Sequence, residues 1–304
     1  MITSMQTLIK AVKAKEKKIV SVAVANDHHV LEAIEKARQE GFIEAILVGD
    51  IALVKEALND LGYAPENYQF VHEIDAVTAC EKAVKLVSQN DADFLMKGYV
   101  DTAIILRAAL DKDYGLRTKN RISHVSVMEI PTYHKLLLMS DGAMNIEPTI
   151  EHKQEIIENA VVIAHALGIE KPNVGMIAAV EKVNPKMTAT LDAEVLVKRN
   201  QSGLIEGCTI GGPFALDNAI NKEAADYKDI HDPMAGNVDL VIMPQIESGN
   251  VFYKSMMFLA KAKSASVIAG AKKPIVLTSR ADSMESKYYS IALSALVADL
   301  NNKL

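Results

Sequence analysis

The chain is poor in the residues that staple a protein or anchor it in a membrane. Its 304 residues include two cysteines, Cys80 and Cys208. These cannot build a disulfide framework, and neither stands in a Cys-x-x-Cys pair, so structural zinc is not expected either. Both thiols read as small core side chains. No apolar run approaches the ~20 residues that a membrane span requires. The opening segment, with its early lysines and the basic stretch at 15–18, carries no apolar signal core, which points to a cytoplasmic protein away from membranes. Positive charge is outnumbered, with 33 Lys and Arg against 39 Asp and Glu. A formal charge of −6 and a pI near 5.8 argue against a nucleic-acid partner, which needs a broad basic face. The local cluster Arg117, Lys119 and Arg121 reads as a solvated surface. Gly/Ser-rich linkers and internal repeats are missing as well. With 49% hydrophobic residues, the length suits one large or two ordinary globular domains, and disorder and coiled coil are excluded.

Familiar cofactor signals are equally absent. No Gly-x-x-x-x-Gly-Lys-Ser/Thr supports a P-loop, and no Gly-x-Gly-x-x-Gly follows the first strand, so ATP and NAD lose support. No Gly-x-Ser-x-Gly elbow appears. The eight histidines fall into no metal-ligand spacing, and adjacent His28 and His29 point in different directions from a helix, so no metal site is expected.

What the chain does have is alternation. Apolar runs of four to seven residues alternate with amphipathic segments of twelve to eighteen, the pattern of βα units. Residues 19–25 read as a strand, Asn26 or Asp27 as a helix cap, and Val30, Ile34 and Ala37 as one helix face that Gly41 ends. Further strands are expected at 45–48, 69–72 and 94–96, with helices at 76–88 and 102–110, giving a parallel sheet. From Arg121 the texture changes. The runs 122–130 and 135–140, separated by Pro131 and a few residues, suggest a hairpin or neighbouring strands. A helix at 151–167, a strand at 174–179, a helix at 188–200 and a strand at 240–243 then mark a second α/β domain, packed closely enough on the first that the boundary is soft.

Polar groups collect where strands should end. Residues 275–277 form a short apolar run behind Pro274 that stops on Thr278-Ser279-Arg280-Ala281-Asp282-Ser283, before a helical pattern over 283–300. Ligands of open α/β sheets bind beyond the carboxyl ends of strands, where helix N-termini favour anions, and an arginine adds a planar fork of donors for a phosphoryl group. Phe94-Leu95-Met96-Lys97-Gly98 sets a lysine and a close-approach glycine at another strand end, before a helix carrying Arg107; an ordinary strand-to-helix turn has the same sequence. Arg107 either snorkels to solvent or grips an anion. Residues 244–254 follow a third strand and open a helix at Gly249 or Asn250, where Asn250 has the residue type of an N-cap.

At these residues the chain resembles the phosphate acetyl/butyryltransferase family, over nearly its whole length. The most specific elements are Gly249-Asn250 with Tyr253-Lys254, then Pro274 leading through a strand to Ser279-Arg280, with Lys97-Gly98 and Arg107 in support. The segment from Gly212 to Ile220 resembles the family's acidic Asp-Ala-Ala-type stretch, and the chain length matches its compact members. The resemblance implies two α/β domains similar to the isocitrate and isopropylmalate dehydrogenases, residues 1–125 with 266–304 and residues 126–265, with an interdomain cleft and a homo-oligomeric assembly. It implies transfer of a short acyl group, butyryl or a branched relative, between coenzyme A and inorganic phosphate, with coenzyme A as a substrate, no permanently bound cofactor and no covalent enzyme intermediate; a phosphate acetyltransferase, an oxidoreductase on the same fold and a non-catalytic coenzyme A-binding protein are the alternatives. Arg280 then binds the phosphate, Ser279 orients the thiol or donates to the oxyanion, and Arg107 is a second anion clamp. Lys97, Gly98, Asn250, Tyr253 and Lys254 complete the substrate-binding set. The family's acetyl enzymes carry an aspartate several residues beyond the Ser-Arg pair, where this chain has Ser286. Asp282 and Glu285 are the nearby carboxylates for a thiol base; alternatively, phosphate and clustered cations lower the thiol pKa without one. Met96, Tyr99, Met256, Met257 and Phe258 are apolar candidates for an acyl slot, though core packing explains such residues as well.

Overall fold

The computed structural model describes residues 1–279 and 281–301, without the side chains of 300 and 301. It is an α/β chain in two units, one built from Met5–Asn120 with Ser264 onward and the other from Arg121–Lys263 with Met1–Ser4.

In chain order the first unit lays down α1 (Met5–Lys13), β1 (Lys18–Ala23), α2 (His28–Gln39), β2 (Ile43–Gly49), α3 (Ile51–Asp60), β3 (Gln69–His72), α4 (Ala76–Ser88), β4 (Phe94–Lys97) and α5 (Thr102–Ala109). The second unit follows with β5 (Ser123–Glu129), β6 (Leu137–Ser140), α6 (Ile150–Ala166), β7 (Asn173–Ile177), α7 (Thr188–Gln201), β8 (Thr209–Phe214), α8 (Leu216–Ile220), α9 (Lys222–Tyr227), β9 (Leu240–Ile242) and α10 (Ile246–Phe258). The chain then closes with β10 (Lys263–Ala269), β11 (Ile275–Val276) and α11 (Met284–Asn301).

Local chemistry explains the first βα units. The carboxylates of Asp27, Asp50 and Asp75 accept hydrogen bonds from Val30 N, Ala52 N and Thr78 N, satisfying amide donors that the first turns of α2, α3 and α4 would leave open. Val30, Ile34 and Ala37 are buried on one face of α2, and Gly41 at φ +86° takes the left-handed turn that follows it. β1 pairs in parallel with β2 and β4, with Val20 opposite both Ala45 and Phe94. β11 runs parallel to β4, setting Ile275 opposite Leu95, and antiparallel to β10. The order β3-β2-β1-β4-β11-β10 therefore brings the carboxyl ends of β1, β4 and β11 to one edge, as parallel neighbours must.

In the second unit, β5 and β6 form the antiparallel pair expected from the two close apolar runs, with Val127 opposite Leu138. β6, β9, β7 and β8 then follow in parallel. Their core is aliphatic and methionine-rich, with Met128, Leu137, Met139, Phe214, Val241 and Phe252 among its buried members.

One helix starts elsewhere than its sequence suggests. α10 begins at Ile246 rather than at Gly249 or Asn250, because the Gln245 side chain accepts from Glu247 N and Ser248 N and caps it a turn earlier. Asn250 is therefore not an N-cap. Among the described residues no helix is long and apolar enough to cross a membrane, and no group of three or more His, Cys, Asp or Glu side chains is arranged to hold a metal ion.

Candidate active site

The shared edge of β1, β4 and β11 collects the polar groups of the first unit. At the end of β1 the chain turns through Val24 at φ +55°, a left-handed backbone that a β-branched residue rarely adopts. Gly98 lies directly against this turn. Its amide donates to Ala23 O at 2.9 Å and the next amide, of Tyr99, to Val24 O at 2.7 Å. A methyl group at Gly98 would lie 2.2 Å from Val24 O and 2.7 Å from Ala23 O, so the position admits only glycine without backbone movement. Lys97 is 5% exposed, and its ammonium donates to the carbonyls of Gly98 at 3.3 Å and Val100 at 3.1 Å. A buried cation thus braces the first strand-end turn.

The second turn, after β11, is built from its own side chains. The Asp282 carboxylate accepts from Ser279 N at 2.8 Å, while Asp282 N donates to Ser279 O at 3.1 Å. The Ser279 hydroxyl accepts from Ala281 N at 3.3 Å, and the Ser283 hydroxyl accepts from Ser286 N at 3.1 Å as α11 begins. Ser279 is exposed, Asp282 half-buried and Glu285 exposed, its carboxylate accepting from the Tyr289 hydroxyl at 3.0 Å. Arg280 lies outside the described residues. Arg107 is exposed in the last turn of α5.

The sequence reading missed Lys287. It is 2% exposed on α11, and its ammonium donates to Ser279 O at 3.2 Å and Asp282 O at 2.7 Å. Burial pushes its pKa below the ordinary lysine value, with Asp27 and Asp282 pulling the other way. Its signal in the sequence was a lysine entering the long, largely apolar stretch that runs from Tyr288 to Ala298.

In the second unit the loop after β6 meets α10 at backbone distance. A Cβ on Gly249 would lie 2.3 Å from Asp141 O, and one on Gly142 would lie 2.9 Å from Gly249 C. The contact seats Asp141, whose carboxylate accepts from Ala143 N, Met144 N and Asn145 Nδ2 at 2.9, 3.1 and 2.6 Å. Asn250 is exposed on α10 and donates to Gly142 O at 3.2 Å. Tyr253 is buried, with its ring edge-on to His124 at 5.9 Å between centroids, and the Lys254 ammonium sits 5.2 Å from the Tyr253 ring centre.

Ser279 with Asp282 and Lys97 with Gly98 therefore belong to turns at one sheet edge of the first unit. Asn250, Tyr253 and Lys254 share one helix of the second. Of the apolar acyl-slot candidates, Met96 is fully buried in β4, Met256 and Met257 pack on the second unit's core, and Tyr99 and Phe258 are each 57% exposed. The thiols of Cys80 and Cys208 are both pushed up to about 11 by burial, which keeps them protonated near neutrality.

The same organisation runs through known proteins. A 46% identity over 98% of this chain and 99% of its counterpart links it to the phosphate butyryltransferase of Clostridium acetobutylicum. The phosphate acetyltransferase of Thermotoga maritima is also 46% identical, over 97% of this chain and 99% of the other. Among solved structures, a branched-chain phosphotransacylase from Enterococcus faecalis V583 superimposes with a TM-score of 0.83 at 32% identity, covering 92% of this chain and 99% of that one. Residues 62–295 match the model of the phosphate acetyl/butaryl transferases, a span that takes in the turns after β4 and β11 and α10. This chain belongs to the phosphate acetyl/butaryl transferase family.

Proposed function

We propose that the protein is a short-chain acyl-CoA:phosphate acyltransferase, converting butanoyl-CoA or a branched relative and phosphate into acyl phosphate and coenzyme A, and the reverse. The observation that carries this reading is the Ser279–Asp282 turn at the carboxyl end of β11, beside the Lys97-Gly98 turn of β4, in a chain of this family. Direct transfer needs no enzyme-bound acyl group. In the acyl-CoA-forming direction the coenzyme A sulfur attacks the carbonyl carbon of the acyl phosphate, a new C–S bond forms, and the C–O bond to phosphate breaks with its electron pair on the phosphate oxygen. The thiol proton goes to the Asp282 carboxylate, and the Ser279 hydroxyl donates to the tetrahedral oxyanion. Asp282 is preferred over Glu285 because it is already held on the reactive turn, whereas Glu285 is exposed and tied to Tyr289. Arg280 and Arg107 take the phosphoryl oxygens in this scheme; Lys97 and Gly98 shape the phosphate side, and Asn250, Tyr253 and Lys254 serve coenzyme A.

A homo-oligomer working in the cytoplasm, without a resident cofactor, completes the proposal. Turnover of acetyl-, butyryl-, isobutyryl- and isovaleryl-CoA with phosphate, followed by thiol release, tests it. A kcat/KM for butyryl or a branched acyl group above that for acetyl is expected; a preference for acetyl overturns the acyl assignment, and no thiol release from any of them overturns the reaction.

A further inference from the structure

We infer that Lys287 is a positioning residue of the transfer site, a buried cationic brace that sets the shape of the Ser279–Asp282 turn; its catalytic consequence rests on the function proposed above. Residues 286–298 of α11 are buried throughout, and Lys287 is their one charged side chain. Burying an ammonium is expensive unless it is neutralised and fully hydrogen-bonded, and an apolar side chain of the same length would serve the helix packing better. Lys287 is placed instead where its cost has a structural return. It donates to the carbonyls at both ends of the turn, Ser279 O and Asp282 O, while the Asp282 carboxylate closes the same turn from the other side through Ser279 N.

Two carboxylates favour the charged form of the ammonium. Asp282 stands on the turn itself, and Asp27 is the residue whose carboxylate caps α2. Lys97 repeats the same device at the turn after β4, donating to the carbonyls of Gly98 and Val100. With Ser286 at the family's aspartate position, a fixed turn carrying Asp282 supplies the geometry that a helix-borne acid would otherwise provide.

Lys287→Met tests this in the full chain, since methionine keeps the side-chain length and removes the ammonium. Amide hydrogen exchange at residues 279–283 is expected to accelerate about ten-fold, with β2 and α4 exchanging as in the parent. Turnover of acyl phosphate with coenzyme A is expected to fall about ten-fold or more at unchanged or higher melting temperature. Lys287→Arg, which restores a cation and its donors, should recover part of both. Unchanged exchange in the turn overturns the inference whatever happens to activity, and so does acceleration spread evenly over the chain. A parent that forms no acyl-CoA overturns the proposed function and leaves the exchange measurement to decide the brace. If Lys287→Met does not fold, Lys287→Gln is read in the same exchange assay; failure of both to fold makes Lys287 a general stability residue and overturns the inference.

Discussion

Gly98 and Gly41 are both glycines at turns, and they differ in what surrounds them. Gly41 holds a left-handed backbone in open space, so alanine there meets only conformational strain, about 1 kcal/mol. Gly98 faces two carbonyl oxygens of a neighbouring strand end at 2.2 and 2.7 Å from any Cβ, and backbone atoms cannot rotate away. Gly98→Ala is expected to cost about 3 kcal/mol in chemical unfolding, several times the loss for Gly41→Ala, because the clash is of the overpacking kind. The two carboxylates near Ser279 separate in the same way. Asp282→Asn keeps an oxygen to accept from Ser279 N, so the turn survives, yet it removes the proposed proton acceptor; kcat for acyl-CoA formation should fall about 100-fold. Glu285→Gln should leave kcat within about two-fold. Equal small losses for both variants in steady-state assays would reject a carboxylate base.

Elements were legible where a cap and a period agreed. α2 could be read from Asp27, Val30, Ile34, Ala37 and Gly41, and each does in the fold what its type suggests. β4 and β11 were legible as short apolar runs ending on polar residues. β8 was not, because Gly211, Gly212 and Pro213 read as strand breakers; it lies at the end of the strand order, where a missing amide donor is tolerated, and Gly211 lets Met234 pack against the backbone. α3 and α1 were missed although Asp50 caps the former, as their apolar stretches are short. The misplaced start of α10 has a sharper cause: Gly249 resembles a helix boundary but is inside the helix, required by the approach of the Asp141–Gly142 backbone. Of the candidate site, Ser279, Asp282, Lys97 and Gly98 could be picked out as strand-end residues, whereas the hydrogen bonds of Lys287 depend on a turn that local periodicity does not encode. Asp27 ties these scales together, because it caps α2 and its charge favours the protonated form of Lys287. Asp27→Ala should lower stability by about 1 kcal/mol through the lost cap. Because its charge also favours the buried ammonium, the same variant is expected to lower turnover, while Asp50→Ala, a cap whose charge does not act on Lys287, lowers stability alone; comparing unfolding midpoints with kcat separates the two.

Across the first unit as a whole, three carboxylates hold helices together and set the response to acid. Glu35 is 4% exposed. Burial pushes its pKa up, but hydrogen bonds from Arg38, Tyr68 and Gln39 outweigh that and hold it below the ordinary glutamate value. Glu40 is held low against its burial by Lys13 and the Tyr288 hydroxyl, and Asp299 by Lys15 and Lys18 at 2.7 and 2.8 Å. The Glu40 and Asp299 contacts join the end of α2 and α11 to the stretch from Lys13 to Lys18, and the Glu35 contacts join α2 to Tyr68. In each case the folded form binds its proton less tightly than the unfolded form, so the unfolded chain takes up more protons as pH falls. The stabilisation is complete above the ordinary carboxylate range and is lost as pH drops through the depressed folded values. Unfolding free energy by urea, followed between pH 7 and 3, should therefore decline on the acid side from near pH 5 downward, by the usual carboxylate range. Glu35→Gln removes one titrating group from that balance: the variant is less stable than the parent at pH 7, and the gap between them narrows as pH approaches 3. A gap that stays constant over this range would mean that Glu35 contributes through packing rather than through its charge.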